Sequence, residues 1–327
     1  MQQVQIHAEV LDGELWAEVD DPNDLRNSDF TFTPSSRRQY LESSWGGYWN
    51  TPVTDFAFIR NMYFPTSSMM SQLRAYLPEL VTNYGSSQAI LDLKLAYFLR
   101  CDPDHVHLLN GASQFLASML RRWFQPAQVL LPEPTFGEYS RIFPGARTYG
   151  DSGTIDVGEV AEKARDADLV VVVNPNNPTG TTIPAVEIKS LVTRLPDKLV
   201  LVDESFIEFS GQPSVIPWAE EAGVANVMVL KSLSKSLGVP GLRLGYVFTV
   251  DQELGARIAD DLPVWNVNSV AEHLLEIILK HRDDLDTSVA QTVVDRECFA
   301  VALNDLVIVE RVFQSGANFL LVTLALP

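Results

Sequence analysis

The sequence predicts an α/β protein, in which a mostly parallel sheet is sandwiched by helices and a smaller α+β C-terminal domain follows. Between about residues 100 and 250, short β-branched runs alternate with amphipathic helical windows. Several of these runs are apolar throughout, which is typical of strands buried on both faces. After residue 264 the pattern changes to two long helical windows and two strands. We therefore expect a large domain over 51–263 and a small domain over 264–327.

The elements follow in chain order. In the large domain we predict strands over His105–Leu109, Gln128–Leu131, Leu169–Val173, Leu199–Val202, Val227–Leu230 and Leu244–Thr249. Helices are predicted over 112–124 and after Pro184, because proline suits the first turn of a helix. In the small domain we predict helices over Ser269–Arg282 and Thr287–Leu303, then strands over Val307–Phe313 and Asn318–Val322.

The first 60 residues are polar and show no helical pattern, and residues 1–50 form a separate N-terminal segment in this prediction. The run Trp16–Leu25 resembles the closing segment of nucleotidyltransferases, in which an acidic residue helps to hold magnesium. That resemblance implies a fused two-enzyme protein. Without a preceding nucleotide-binding domain, however, Asp20 and Asp21 could not bind the metal, and an acidic loop is the favoured alternative.

Composition excludes several classes of protein. A 46% hydrophobic and 20% charged content is ordinary globular usage. The net charge of −18 argues against a nucleic-acid partner, which would require clustered cations. Cys101 and Cys298 lie far apart without metal-binding spacing, so we expect neither a disulfide nor a metal site, and a cytoplasmic location. No signal peptide or stretch of bilayer-spanning length is present, so we expect no membrane partner.

The run from Leu230 to Tyr246 carries the strongest chemical signal. It places the amine of Lys235 near the hydroxyls of Ser232 and Ser234 and the guanidinium of Arg243. A lysine amine can condense with the aldehyde of pyridoxal phosphate to a Schiff base, while hydroxyls and a guanidinium can bind its phosphate. The alternative for this run alone is a basic loop between strands.

Two segments after earlier strands add groups that this cofactor needs. The turn Asn110–Gln114 opens a helix, and the backbone N–H groups near Ala112 and Ser113 can bind an anion there. The alternative is a simple helix cap. Phe136 follows a strand end and can stack on the cofactor ring, with Tyr139 as a second candidate. Taken alone, Phe136 is equally well explained as a core or surface aromatic.

Two further segments complete the set. Asn177 lies in a turn-rich loop after a very apolar strand, and its amide can donate a hydrogen bond to the phenolate oxygen of the cofactor. Asp203 ends another apolar strand, and a buried carboxylate requires a cation such as a protonated pyridine nitrogen. A metal ligand or a cap remains the alternative for Asp203, and Glu204 is expected to be structural.

The order of these five segments is similar to that of the fold-type I pyridoxal-phosphate enzymes of the class I/II aminotransferase family. The nearest branch contains histidinol-phosphate aminotransferase and threonine-phosphate decarboxylase, and the resemblance covers about residues 50–327. It implies that Lys235 is the Schiff-base lysine and proton carrier, and that Asp203 pairs with the pyridine nitrogen. Asn177 would contact the phenolate oxygen and Phe136 would stack on the ring. The resemblance also implies a set of phosphate ligands, with a tyrosine reaching in from the second subunit of a homodimer: Ala112, Ser113, Ser232, Ser234, Arg243 and that subunit's Tyr84.

The sequence departs from the family pattern at two places. Most members carry a tyrosine three residues after the pyridine-pairing acid, where this chain has Phe206. The threonine-phosphate decarboxylase group resembles the chain there and in the run Pro263–Asn268. In the family, the arginine that grips the substrate carboxylate lies beyond the position of Pro327, so we expect the small domain to be incomplete. Either the chain is a fragment of a longer protein, or it cannot bind an α-carboxylate in the usual way.

We therefore predict a pyridoxal-phosphate-dependent aminotransferase that acts on a small amino acid or amine and a keto acid. A phosphate or phosphonate on the substrate is part of this expectation. One alternative is an amino-acid-phosphate decarboxylase, and another is a catalytically impaired module with the same fold. A nucleotide-binding α/β protein is poorly supported, because neither glycine-rich phosphate-binding motif occurs.

Overall fold

The computed structural model describes residues 18–43, 46–47, 53–56 and 58–325. The chain forms two compact units, Met1–Phe58 and Ile59–Pro327. The first contains helices α1 (Pro22–Phe32) and α2 (Pro34–Ser43), so the expectation of no helix in this region was wrong.

Helix α1 forms because its first turn is capped, not because it has a strong apolar face. The Asp21 carboxylate accepts the backbone N–H groups of Asn23 and Asp24, and the Asp24 carboxylate accepts the N–H of Asp21 in return. Pro22 occupies the first turn, where its missing N–H has no cost. Asp21 is thus a helix cap in this structure. Trp16, with which the nucleotidyltransferase-like run begins, lies outside the described residues, and that resemblance stays a prediction.

The second unit is built on a seven-stranded sheet in the order β1-β7-β6-β5-β4-β2-β3. Its strands are β1 (Val106–Asn110), β2 (Val129–Glu133), β3 (Arg147–Gly150), β4 (Leu169–Val173), β5 (Leu199–Asp203), β6 (Val227–Ser232) and β7 (Leu244–Phe248). Only β7, among the described strands of this sheet, runs antiparallel to its neighbours. All six predicted large-domain strands are confirmed, and β3 was missed.

Helices cover both faces of this sheet. They are α3 (Ser67–Thr82), α4 (Gln88–Leu99), α5 (Ala112–Phe115), α6 (Arg121–Trp123), α7 (Gly137–Ile142), α8 (Val157–Lys163), α9 (Ala185–Arg194), α10 (Ile216–Ala222), α11 (Leu233–Ser236) and α12 (Gln252–Asp261). A π-helical turn, Leu116–Leu120, joins α5 to α6, which accounts for the single helix predicted over 112–124. Short 3-10 turns occupy Pro103–His105, Pro126–Gln128, Ala164–Asp166, Ile207–Ser210 and Pro240–Leu242.

The sandwich arises from alternation along the buried strands. In β4, Val170 and Val172 contribute to one apolar cluster, whereas Val171 and Val173 contribute to the cluster on the opposite face. Successive side chains of a strand point to opposite faces, so an unbroken valine run can supply both layers. The predicted fold class, a mostly parallel sheet between helical layers, is therefore confirmed.

The C-terminal part contains helices α13 (Ser269–Ile278) and α14 (Arg282–Asn304) and a two-stranded sheet of β8 (Val309–Val312) and β9 (Val322–Leu324). The strand predicted over Asn318–Val322 was misplaced. The segment before β9 instead forms turns that pack on the loop after β4, where the Gly316 N–H donates to the Gly180 carbonyl. The domain boundary predicted near residue 264 stays a prediction.

Two other expectations concern cysteines and metals. Cys101 and Cys298 are free thiols, while the cytoplasmic location inferred from them stays a prediction. Over the ranges that the structure describes, acidic, histidine and cysteine side chains form no cluster of three or more suited to a metal ion. No helix within those ranges combines the length and the apolar character needed to cross a bilayer.

Candidate active site

With the exception of Tyr84, the predicted site residues of the large domain lie at one edge of the sheet. Strands β1, β2, β4, β5 and β6 all run toward this edge, and the antiparallel strand β7 begins there. The residues near these strand ends are Ala112 and Ser113 after β1, Phe136 after β2, Asn177 after β4, Asp203 in β5, Ser232, Ser234 and Lys235 at β6, and Arg243 before β7. The carboxyl edge of such a sheet is where α/β proteins bind ligands.

The turn after β1 and the residue before β7 form a polar cradle. The Arg243 guanidinium donates to the Ser113 hydroxyl over 3.0 Å, although the two residues are 130 positions apart. A Cβ at Gly111 would collide with this guanidinium, and one at Gly245 would collide with the Ala112 nitrogen. Both glycines therefore allow the arginine, the backbone of β7 and the first turn of α5 to approach closely.

The turn after β6 adds a hydroxyl without a partner. Ser234 is 3% exposed, and among the described residues its Oγ has no hydrogen-bond partner. The Ser232 N–H, in contrast, donates to the Ser205 hydroxyl over 3.0 Å. A buried unpartnered hydroxyl is unusual in a folded protein, because burying it without a hydrogen bond costs stability.

Asp203 is a buried carboxylate with three donors. Its Oδ2 accepts the Tyr139 hydroxyl at 2.8 Å, and its Oδ1 accepts the Ser205 hydroxyl at 2.6 Å and the Ser205 N–H at 3.0 Å. Burial nevertheless raises the pKa of Asp203, although these hydrogen bonds and the charge of Lys235 oppose the shift. An additional cation beside this carboxylate would offset the cost of its buried charge.

The sequence made Tyr139 the second candidate for stacking on the cofactor ring, but the structure gives it a different position. It is fully buried beneath the Phe136 ring, with an edge-to-face arrangement and 6.4 Å between ring centroids. Burial raises the pKa of Tyr139 well above its usual value, so the hydroxyl stays protonated and donates to Asp203. Phe136, by contrast, is exposed at the sheet edge. Sequence reasoning missed the contacts of Tyr139 and Ser205 with Asp203.

Lys235 lies in helix α11 and is partly buried. Burial, and then the positive charge of Arg243, lower the pKa of Lys235, while the nearby Asp203 carboxylate opposes the shift. The amine lies 5.8 Å from the centroid of the Phe206 ring, which packs edge-to-face on Phe319. A lysine with a lowered pKa is neutral more often near neutral pH and is therefore a better nucleophile.

A segment before the sheet holds the backbone of this lysine turn. The Asn61 N–H donates to the Lys235 carbonyl at 2.8 Å, and the Asn61 side-chain amide donates to the Ser236 carbonyl at 3.0 Å and the Ser288 hydroxyl at 2.7 Å. Gly238, with φ of 63°, packs so closely on the Asn61 and Phe64 carbonyls that any Cβ would collide. Asn61 lies in no motif of its own, and sequence reasoning missed it.

The loop after β4 carries three asparagines with different environments. Asn174 exchanges hydrogen bonds with the backbone of Ile183, and Asn176 donates to the Pro134 carbonyl and the Asp151 carboxylate. The side chain of Asn177 is partly buried and has no hydrogen-bond partner among the described residues. Its amide is therefore available to a ligand.

Tyr84 occupies a different environment from the other predicted residues. Tyr84 is 78% exposed, and its ring stacks on that of Trp265 at 4.6 Å between centroids. The structure therefore leaves the Tyr84 hydroxyl at the surface of its own chain, apart from the hydrogen-bonded groups around Asp203 and Ser113.

The fold and this edge define the class of protein as a fold-type I pyridoxal-phosphate enzyme. The chain belongs to the class I and II aminotransferase family, described as "Aminotransferase class I and II", whose sequence model matches residues 65–325. Enzymes of this family use pyridoxal 5'-phosphate as cofactor. The site fits that group, because the unpartnered Ser234 hydroxyl and the Ser113–Arg243 cradle suit a phosphate, and buried Asp203 suits a pyridinium.

Curated relatives match most of the chain. It is 35% identical over 94% of its length to the CMP-5'-(3-aminopropyl)phosphonate synthase of Streptomyces rubellomurinus, of which it covers 50%. It is 32% identical over 75% of its length to the histidinol-phosphate aminotransferase of Thermococcus gammatolerans, of which it covers 68%. The chain thus spans about half the length of the phosphonate synthase.

Solved structures share the fold. The L-threonine-O-3-phosphate decarboxylase of Porphyromonas gingivalis superposes with a TM-score of 0.71 at 25% identity, covering 83% of each chain. The histidinol-phosphate aminotransferase of Clostridium acetobutylicum gives 0.72 at 25% identity and the same coverage. The Sinorhizobium meliloti histidinol-phosphate aminotransferase, solved with pyridoxal-5'-phosphate, gives 0.68 at 19% identity and covers 82% of this chain and 74% of its own.

Proposed function

We propose that the chain is a pyridoxal-phosphate-dependent aminotransferase for a small amino acid or amine that carries a phosphate or phosphonate. The observation that carries this proposal is the convergence of three groups at one sheet edge. Lys235 has a lowered pKa, Asp203 is a buried carboxylate, and Arg243 forms an anion cradle with Ser113. A neutral amine, an acceptor for a pyridinium and a phosphate site are what this cofactor requires.

When bound, the cofactor withdraws the electrons released at the α-carbon of the substrate. In this proposal the neutral Lys235 amine would condense with the cofactor aldehyde with loss of water and, once the substrate amine has displaced it, would carry the proton to and from the α-carbon as general base and acid. Asp203 would hold a proton on the pyridine nitrogen, and Asn177 would donate to the phenolate oxygen. Phe136 would cover one face of the ring.

The phosphate ligands form a second part of the proposal. The Ser113 and Ser234 hydroxyls, the Arg243 guanidinium and the backbone near Ala112 bind the cofactor phosphate, and Ser232 joins them at the start of α11. Their support is the cradle described above and the buried, unpartnered Ser234 oxygen. Charge-assisted bonds from an arginine to phosphate are among the strong ones in proteins.

The substrate class is proposed from the compounds on which three related proteins act. One relative is a synthase of an aminopropylphosphonate nucleotide, another acts on histidinol phosphate, and a structural neighbour decarboxylates threonine phosphate. These compounds share an amine with a phosphate or phosphonate at a short distance. We therefore place such compounds first in a substrate screen, each with a keto acid as amino acceptor.

Decarboxylation is the second candidate reaction, and Phe206 is the observation that favours it. The ring at this position has no hydroxyl to contact a cofactor and lies beside the Lys235 amine. The threonine-phosphate decarboxylase group resembles this chain at the same position. An assay that follows keto-acid and carbon dioxide formation separately decides between the two reactions, and a protein that binds the cofactor yet forms neither product is the impaired module.

The cofactor site can be tested directly. Added pyridoxal phosphate should give the purified chain a long-wavelength absorbance band, and borohydride reduction should leave the label on the Lys235 peptide. Lys235→Ala should lose the band and all turnover. Lys163→Ala is the control, because Lys163 is exposed and, within the part of the chain that the structure describes, pairs with Glu159 alone. A Lys235→Ala protein that keeps turnover contradicts the proposal.

We also propose a homodimer in which Tyr84 reaches the cofactor phosphate of the partner. The support is an exposed apolar and aromatic surface on α3, α4 and the turn between them, formed by Tyr76, Leu77, Val81, Tyr84, Leu93 and Tyr97. Mixing inactive Lys235→Ala with weakened Tyr84→Phe protein should restore part of the activity, since one hybrid site then has both native residues. Sedimentation as a monomer would contradict this arrangement.

A further inference from the structure

We propose that Asp151 is the positioning residue that fixes Asn177 at the cofactor site. Asp151 follows the edge strand β3 and is only 5% exposed. This inference rests on the proposed function, because it concerns the loop that carries Asn177. It assigns a role to a buried carboxylate that lies outside the sequence motifs and that the proposed chemistry does not use.

The Asp151 carboxylate binds the loop after β4 through three side chains. Its Oδ2 accepts the Asn176 amide at 2.7 Å and the Thr179 hydroxyl at 2.5 Å, and its Oδ1 accepts the Thr181 hydroxyl at 2.7 Å. The Gly153 N–H adds a fourth donor at 2.9 Å. All three side-chain donors are buried, so loss of the carboxylate would leave several buried donors without partners.

These bonds connect strands that are not neighbours. In the sheet, β2 lies between β4 and β3, and the loop after β4 crosses the end of β2 to reach Asp151. On the way, the Asn176 amide also donates to the Pro134 carbonyl, two residues before Phe136. The Asp151 N–H donates to the Glu133 carbonyl at 2.9 Å, which fixes Asp151 itself to the end of β2. The network therefore holds the Asn177 loop in register with the turn that carries Phe136.

Asn177 lies inside the held segment. The loop closes on itself, because the Asn176 N–H donates to the Thr181 carbonyl and the Gly180 N–H donates to the Asn176 carbonyl, both at 2.8 Å. The contacts to Asp151 lie on both sides of Asn177, at positions 176, 179 and 181. Asn177 is thus left with a free amide on a loop that cannot easily rotate. An amide that is fixed before binding loses less entropy when it donates to a ligand.

The test compares Asp151→Asn with Asn177→Ala in the full chain. The readouts are the dissociation constant of pyridoxal phosphate and the pH midpoint of the absorbance change of the Lys235-bound cofactor. A purely structural role for Asp151 would leave that midpoint unchanged. We expect Asp151→Asn to shift the midpoint in the same direction as Asn177→Ala and to weaken cofactor binding about fivefold, as for the loss of one hydrogen bond. The double variant should bind the cofactor no more weakly than Asn177→Ala alone, because both substitutions remove the same contact, that of Asn177 with the cofactor.

Asp156→Asn is the matched control, since Asp156 caps α8 through the Gly158 N–H and does not contact the loop. If Asp151→Asn does not fold, Thr179→Val and Thr181→Val each remove one donor and keep the carboxylate. Each should give a smaller shift in the same direction. Additive effects in the double variant, or an unchanged midpoint in folded Asp151→Asn or in both threonine variants, would overturn the inference. Failure of the proposed function is distinct, because the unmodified chain would then form no keto acid, whereas the cofactor band and its pH midpoint are measured without turnover.

Discussion

Asp203→Asn is the substitution that tests the electrostatic part of the site most directly. An asparagine is nearly isosteric and can keep Oδ1 as the acceptor for both Ser205 donors. Its amide would face the Tyr139 hydroxyl, which can rotate and accept a hydrogen bond. The fold should therefore survive, while the negative charge at the end of β5 is lost.

The size of the effect follows from the burial of Asp203. For unit charges about 4 Å apart at an effective dielectric constant of about 20, the interaction is about 4 kcal/mol. Loss of a contribution of that size would slow the chemical step by about a thousandfold. Part of it would be recovered by relaxation of the site, so we expect turnover to fall by two to three orders of magnitude, on the order of 3–4 kcal/mol.

The assay is the turnover number with saturating cofactor, together with unfolding in urea. Glu204→Gln is the control, because Glu204 is equally buried and adjacent but accepts the Val215 N–H instead of facing Tyr139. It should change stability and leave turnover within a few-fold of the unmodified chain. If Asp203→Asn retains turnover, or if Glu204→Gln loses as much, the assignment of Asp203 to the pyridine nitrogen is wrong.

The same variant should change how stability depends on pH. Burial raises the pKa of Asp203 in the folded, cofactor-free protein, so the folded state binds more protons than the unfolded state between the ordinary and the raised pKa. The free energy of unfolding contributed by this group is therefore present below that window and falls as the pH rises through it. Urea titrations of the cofactor-free Asp203→Asn variant should lack this decline, and an unchanged decline would refute the assigned cause.

Four further outcomes are expected. Tyr139→Phe removes a hydrogen bond to Asp203 and should lower the free energy of unfolding by about 1–3 kcal/mol, measured in urea. Ser234→Ala should leave the stability of the cofactor-free protein unchanged or raised by up to about 1 kcal/mol, because its oxygen has no partner, yet weaken cofactor binding about fivefold by absorbance titration. Because the pKa of Lys235 is lowered and the neutral amine reacts, the rate of cofactor capture should rise with pH and level off below the midpoint of an ordinary lysine. Asn61→Ala should lower the free energy of unfolding, measured in urea, by about 2–4 kcal/mol, because it leaves buried groups unpaired. A decrease under about 1 kcal/mol would contradict the role of Asn61 in holding the backbone around Lys235.

The strands of the sheet were predictable because the signal is local. A run such as Leu169–Val173 is apolar on both faces, so it can be predicted as a buried strand without knowing which elements pack against it. The strand β3 (Arg147–Gly150) was missed because it lies at the sheet edge with three of its four residues exposed, so it has no apolar run. Helix α1 was missed because the sequence signal for it is the N-terminal cap at Asp21, whereas the amphipathic periodicity of that segment is weak.

The residues proposed to hold the cofactor could be nominated from the sequence because they follow strand ends, where sequence order and position in the sheet coincide. The groups that support those members were not found. Tyr139 meets Asp203 across 64 positions, and Asn61 meets the Lys235 turn across 174. Neither contact produces a recognisable pattern in the sequence, because each depends on how two distant elements pack. Asp151 was missed for the same reason.

The direction of β7 determines whether the polar cradle of Ser113 and Arg243 can exist. Arg243 directly precedes this strand, and because β7 runs antiparallel to β1 and β6, its first residue lies at the edge where those strands end. A parallel β7 of the same five residues would place Arg243 about 15 Å away, at the opposite edge of the sheet. The guanidinium could not then reach Ser113. The reversed strand also brings Gly245 against the Ala112 nitrogen, where a side chain has no room. Gly245→Ala should therefore weaken cofactor binding through the cradle alone, with the Lys235 amine still able to react with a phosphate-free aldehyde such as pyridoxal.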